Sequence, residues 1–185
     1  RLIEGMIIAA YATGCRKAYI YIRGEYAEPT RVLQHAIEEA YKYGFLGKQM
    51  FNKNASLDVV IHRGAGAYIC GEESALLESL EGKKGFPRLR PPYPAISGLF
   101  ASPTVINNVE TLACVPTIIQ RGGEWFAKLG YGKSGGTRLY SVSGHVQNPG
   151  LYDASQGIKL SELIEAAGGV PEGRTLKAVI PGGIS

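Results

Sequence analysis

The run AYIYI from Ala18 to Ile22 constrains the fold more than any other feature. Its residues are apolar or aromatic at every position instead of alternating with polar ones, as in a parallel strand covered on both faces. Parallel neighbours must be joined by a crossover, and the next residues supply one. Pro29 fits the first turn of a helix, and Val32, Leu33, Ala36, Ile37, Ala40 and Tyr41 form a stripe at helical spacing that Gly44 ends. LDVVIH from Leu57 to His62 reads as the second strand, so strand, helix and strand close as a right-handed crossover. Before them, Leu2 to Ala12 is apolar nearly all round, which suits a buried helix, and Gly14 stands where a left-handed cap is needed. The first part is predicted to be α/β.

From Gly64 to about Gly98, glycines and prolines predict loops, interrupted by one helical stretch from about Glu72 to Leu80. A further helix is predicted over roughly Val109 to Gln120, with Val109, Leu112, Ala113, Pro116 and Ile119 on its buried side, ended by Gly122 and Gly123. After Trp125 and the run GKSGGT the character changes. Arg138 to Val146 alternates as a strand, NPG at Asn148 to Gly150 is a turn, LSELIEAAGG from Leu160 is a short helix with a glycine stop, and LKAVI is a final strand. That order predicts a small β-grasp domain. With a linker near Gly130 to Gly136, the expected division is an α/β domain over 1–136 and a β-grasp domain over 137–185.

At 185 residues and 45% apolar composition the chain can bury one core, or one core and a small satellite. Its net charge of +4 is scattered, without a basic run interleaved with aromatics, so nucleic acid is not implied. The most apolar stretch, Met6 to Ala12, is far short of the ~18 residues that suggest a membrane span. Cys15, Cys70 and Cys114 lack metal-ligand spacing and read as small apolar residues in a reducing compartment. The start at Arg1 inside a helical pattern and the end in PGGIS are read as those of a fragment.

The chemistry gathers in GAGAYICGEESALLESLEG, which leaves a strand, passes Gly64, Gly66 and Gly71, and enters a helix at Glu72. Glycines admit close approach of a ligand to backbone, and the N–H groups of a helix start can donate to an anion or to a polar ring edge. The spacing is not the dinucleotide fingerprint GxGxxG. On residue type alone, Glu72 and Glu73 are read first as acidic residues that complement a helix dipole, and Arg88, Arg90 and the prolines after them are also compatible with a surface loop of solvated cations.

The whole string resembles one family. GAGAYICGEESALLESLEG, then GFPRLRPPYPAISGL, then PTVINNVET are similar to the FMN- and NADH-binding flavoprotein of respiratory complex I (NADH:quinone oxidoreductase), and to the related diaphorase subunits of NAD-reducing hydrogenases and formate dehydrogenases. GTRLYSVSGHVQNPGLYD and AVIPGGIS resemble the β-grasp domain of SLBB type in that family. The resemblance implies a Rossmann-like parallel-sheet FMN-binding domain, incomplete here, followed by that small domain. It implies FMN-binding at Gly64, Gly66, Tyr68, Gly71, Glu72, Glu73, Asn107, Asn108 and Thr111, and NADH-binding at Glu73, Arg90 and Tyr93, where Tyr replaces the commoner Phe. His35, His62 and His145 match no site position.

The reaction implied is hydride transfer from NADH to FMN, with electrons then passed singly to iron–sulfur clusters towards quinone. Two flat rings must be held face to face, so no side chain is expected to act as catalytic acid, base or nucleophile, and no metal ligand is expected in this stretch. The family's upstream glycine-rich loop and downstream cysteines for a [4Fe–4S] cluster are absent from the sequence. Implied partners are the other subunits of the complex I peripheral arm, including a 2Fe–2S protein. The implied location is cytoplasmic, at the inner face of the plasma membrane, or the mitochondrial matrix side in a eukaryote. A non-catalytic ligand-binding or docking module of SLBB type is the competing class.

Overall fold

The computed structural model describes residues 1–52 and 54–182. It divides into two compact units, Arg1–Pro116 and a second beginning at Thr117. The first holds helix α1 (Leu2–Thr13), strand β1 (Lys17–Ile22), helix α2 (Ala27–Lys42), strand β2 (Asp58–Arg63) and helix α3 (Glu73–Leu80). Helix α4 (Val109–Arg121) crosses the division. The second unit continues with α5 (Gly123–Lys128), strands β3 (Thr137–Val142) and β4 (Gly150–Ser155), and α6 (Leu160–Ala166).

β1 and β2 pair in parallel, from Lys17 opposite Asp58 to Ile22 opposite Arg63, and α2 is the crossover that parallel pairing demands. Met6 and Ala10 of α1, Ile20 and Val59 of the strands, and Ile37 and Ala40 of α2 form the core with Leu46, Met50 and Leu57. α1 ends on Gly14 in the left-handed region, whose N–H reaches the carbonyl of Ala10.

Several expectations need correction. In β1 only Ile20 is fully buried, because among the described residues the sheet has two strands and each keeps an open edge. Val32 is 57% exposed, since five residues, about 140° of helical rotation, separate it from Ile37 at the centre of the buried face. Val109 and Ile119, near the two ends of α4, are exposed as well, and burial is confined to its middle at Pro116. Trp125 lies in the helix α5, which the sequence did not suggest, beneath the guanidinium of Arg121.

One contact explains two awkward residues together. Pro116 has no N–H to give the carbonyl of Leu112, four residues earlier in α4. Gly5 of α1 lies against that same carbonyl, so closely that a Cβ on Gly5 would stand 1.9 Å from the oxygen. The backbones of α1 and α4 can meet there only while residue 5 has no side chain.

In the second unit β3 and β4 form an antiparallel hairpin, with Tyr140 opposite Tyr152. β3 stops at Val142, short of the expected Val146, and Gly144 turns the chain with positive φ. Leu163 of α6 and Ala167, the residue that caps its C-terminus, are buried. Leu176 to Ile180 joins no ladder and leaves Leu176 and Ile180 exposed, so the expected last strand does not form among the described residues. The end of the PGGIS segment, 183–185, lies outside them. The expected linker is hydrogen-bonded to the residue that follows β4: the Tyr131 N–H donates to Gln156 O, and the Gln156 N–H to Gly136 O.

Gly5→Ala is expected to force α1 off the Leu112 carbonyl and destabilise the protein by roughly 1–3 kcal/mol, the usual range for overpacking. Urea unfolding monitored by circular dichroism measures this, and a stability equal to wild type would show that the contact is soft.

Candidate functional site

Because β1 and β2 are parallel, the loops leaving their C-terminal ends emerge side by side, the place where open α/β sheets build sites. The ladder runs on by one bond, from the Gly64 N–H to the carbonyl of Ile22 at 2.8 Å. A Cβ on Gly24 would stand 2.3 Å from the Gly64 carbonyl, and one on Gly64 2.5 Å from the Tyr21 hydroxyl. Gly64 is thus required by its protein neighbours. Gly66 has φ +87°, which a side chain would strain. The chain then makes a 3₁₀ turn over Tyr68–Gly71 and enters α3.

Cys70 is buried in this turn, with its Sγ 2.5 Å from where a Cβ on Gly85 would stand, while Cys15 and Cys114 are half-buried. Tyr68, by contrast, is 93% exposed, and a Cβ on Gly71 would meet no protein atom within 4 Å. Tyr21, which shares a 2.9 Å hydrogen bond with Ser79 and stacks on His62, supports the turn from below. Burial raises its pKa.

The start of α3 is not free to bind an anion. Oε2 of Glu72 accepts the N–H groups of Ser74 and Ala75, both at 2.9 Å, and the Ser74 hydroxyl at 2.6 Å. Its other oxygen takes the guanidinium of Arg90 at 2.5 Å, and Glu73 stands 2.9 Å from the same nitrogen. The hydroxyl of Ser74, ahead of the backbone amides and Arg90, holds the Glu72 carboxyl below the usual carboxylate range. Two carboxylates against one guanidinium leave the cluster short of positive charge. A phosphate is therefore misplaced here, and the anion half of the expectation for this helix start is corrected. An exposed aromatic plane, an accessible glycine backbone and paired polar groups suit a flat heteroaromatic ring.

Arg88 and Arg90 are not solvated cations. Arg88 donates from Nε to Glu78 at 2.6 Å, from Nη2 to Glu81 at 2.6 Å, and from Nη1 to the Gly98 carbonyl at 2.8 Å. Glu81, its side chain only 7% exposed, also accepts from Lys83 and from the Phe100 N–H. The hydrogen bond from Lys83, aided by Arg88 and the Phe100 amide, holds the Glu81 carboxyl down to about 2 against the effect of burial. This network fastens the segment 83–101 onto α3. Sequence reasoning missed Ser74, Glu78 and Glu81; two acidic residues three apart at the end of one helix, followed by an arginine in a loop, were the available signal.

Of the expected site residues, the structure brings together Glu72, Glu73 and Arg90, with Tyr68 and Gly71 on the adjoining turn. Tyr93, just beyond Arg90 in the same loop, is exposed. Asn108 accepts the Glu110 N–H at 2.7 Å, capping the start of α4. Asn107 and Thr111 are exposed, and among the described residues no hydrogen bond joins Asn107, Asn108 or Thr111 to the Tyr68–Glu73 turn. Among the described residues no group of three or more His, Cys, Asp or Glu could hold a metal ion, and no helix is long and apolar enough to cross a membrane.

The geometry is that of an open wall, with an exposed aromatic side chain and an accessible glycine backbone, at the mouth of a parallel α/β sheet, and a small β domain comes after it in the chain. Residues 1–117 match the model of the Nuo51 FMN-binding domain, and residues 139–182 match that of the SLBB domain. The chain belongs to the Nuo51 FMN-binding domain family. Over its whole length it is 58% identical to an NADH-quinone oxidoreductase subunit of Rhizobium meliloti and 55% identical to one of Rhodobacter capsulatus, covering 44% and 43% of those proteins. The chain therefore spans less than half the length of these curated relatives. Among solved structures it is similar to a chain of an NAD+-reducing [NiFe]-hydrogenase in the H2-reduced state, at 46% identity and TM-score 0.80, covering 90% of this chain and 28% of that one.

The Glu81 carboxyl titrates lower in the folded chain than its ordinary 4.5, so its stabilisation is complete above that value and fades as pH falls towards about 2. Glu81→Gln is expected to lower the unfolding free energy measured in urea at neutral pH by on the order of 2 kcal/mol, with the gap to wild type closing through that acid window. A gap independent of pH would mean that the carboxylate charge is not what Arg88 and Lys83 hold.

Proposed function

We propose that this chain is part of an FMN-dependent NADH dehydrogenase subunit of the complex I type. The observation that carries the reading is the Glu72–Arg90–Glu73 cluster beside the open Tyr68–Gly71 turn, in a chain of the Nuo51 FMN-binding domain family. FMN, when bound, would accept a hydride from NADH and release its electrons one at a time. Gly64, Gly66, Tyr68, Gly71, Glu72, Glu73, Asn107, Asn108 and Thr111 are proposed for the flavin, and Glu73, Arg90 and Tyr93 for the nicotinamide nucleotide.

The residues of this chain bind and orient. Tyr68 offers a plane to a ring, and the backbone at Gly71 offers polar atoms at its edge. Arg90, clamped by two carboxylates, keeps a fixed place from which its remaining N–H groups can meet the nucleotide. Tyr93 can stack on a base or on nicotinamide. No proton needs to move through a side chain, so the contribution is positional. The absence of a free anion site at the start of α3 directs the flavin phosphate to other parts of the parent protein.

The full-length parent is proposed to work within a multi-subunit complex, handing electrons to iron–sulfur centres, with the other subunits of a peripheral arm and a 2Fe–2S protein as partners. Such a protein would stand at the inner face of the membrane. Residues 1–136 are assigned to the flavin and nucleotide part and 137–185 to the β-grasp part. The diaphorase subunit of a soluble NAD-reducing hydrogenase is the second reading, favoured by the similarity to the hydrogenase chain. The higher identity to the NADH-quinone oxidoreductase subunits supports the first.

The full-length parent, loaded with FMN, is expected to oxidise NADH with ferricyanide as acceptor. Glu73→Gln should raise the KM for NADH several-fold while flavin content stays stoichiometric. Equal loss of both would assign Glu73 to the flavin, and a wild-type parent unable to oxidise NADH would sink the reading.

A further inference from the structure

Ser74 lies one residue inside the paired carboxylates and is 1% exposed, a buried polar side chain with every bond made. Its hydroxyl accepts the backbone N–H of Arg88 at 2.8 Å and donates to Oε2 of Glu72 at 2.6 Å. The other oxygen of Glu72 holds Arg90, which returns to Arg88 through Leu89. These bonds form a closed ring: Arg88 amide, Ser74 hydroxyl, Glu72 carboxylate, Arg90 guanidinium, and back along the loop. Beside the ion pairs of Arg90 with Glu72 and Glu73, the Ser74 hydroxyl joins this stretch of loop directly to the start of the helix.

We propose that Ser74 is a positioning residue for the nicotinamide nucleotide: its hydroxyl couples the loop bearing Arg90 and Tyr93 to Glu72, and so sets where Arg90 stands relative to Glu73. The inference rests on the nucleotide-site reading above. Glu72 can still cap α3 through the Ser74 and Ala75 amides without this hydroxyl, so removing it loosens the loop while leaving the helix start intact. The guanidinium of Arg88 keeps its own hold on Glu78, Glu81 and Gly98, so the loop stays on α3 while its register over Glu72 is freed. A positioning loss of this kind weakens the ligand that uses Arg90 and spares the ligand that does not.

The test compares the full-length, FMN-loaded parent with its Ser74→Ala and Ser74→Thr variants; threonine retains the hydroxyl. Two readouts are taken: NAD+ affinity by calorimetry, and hydrogen–deuterium exchange of the segment 86–93. Ser74→Ala should weaken NAD+ binding about tenfold, the effect of one charge-linked hydrogen bond, at unchanged FMN content. It should also speed exchange in that segment, and Ser74→Thr should restore both. Unchanged affinity and exchange in Ser74→Ala, or a threonine variant as impaired as the alanine one, would overturn the proposal. So would parallel loss of FMN and NAD+, which marks a merely structural serine. A wild-type parent that binds no NAD+ would instead overturn the nucleotide-site reading, and the positioning role with it.

Discussion

The arrangement of the candidate site depends on the guanidinium of Arg88. One side chain satisfies the carboxylates of Glu78 and Glu81 and the carbonyl of Gly98, and so fixes a long, proline-rich segment to a helix of eight residues. That segment has few apolar anchors of its own: Leu89 is 92% exposed, and Phe86, Ile96 and Phe100 are largely exposed as well. Buried ion pairs often add little net stability, but breaking one strands its partner. Among the described residues, loss of Arg88 would leave Glu78 and Glu81 to Lys83 alone among cations, and the loop carrying Arg90 and Tyr93 would be held to α3 only through Ser74, Glu72 and Glu73.

The same economy runs through the smaller contacts. Glycines at 24 and 64 let two loops touch at the end of the parallel sheet, and Gly5 lets one helix reach a carbonyl that Pro116 leaves without a donor. In each case a close backbone approach replaces side-chain packing. The surface left open by these approaches, around Tyr68 and Gly71, is where a ligand can reach the main chain. Function in this chain follows from what the fold leaves uncovered after its own polar groups have found partners.

The α/β crossover was legible in the sequence because it rests on local periodicity: the apolar run of β1, the stripe of α2 and the glycine cap of α1 each carry their signal within a few residues. The helix start at Glu72 was legible for the same reason. The partners of Arg88 and Arg90 were not, because Glu72, Glu78 and Glu81 lie 7–18 residues away and only the folded loop brings them together. Val32 and Ile119 carried the right periodicity but fell beyond the edge of the contact surface. The last apolar stretch, LKAVI, read as a strand on composition, yet a strand also needs a neighbouring backbone, which no local pattern reveals. The motif strings gave the family; the geometry gave the division of labour within them, with Glu72 turned to capping and Glu73 left to one cation.

Under the proposed function, the turn and loop around Arg90 hold nicotinamide against flavin in the parent protein. Anaerobic titration of the FMN-loaded, full-length parent with NADH tests it most directly. The account predicts loss of the oxidised-flavin absorbance at one NADH per flavin; a flavin spectrum unchanged by excess NADH would contradict it.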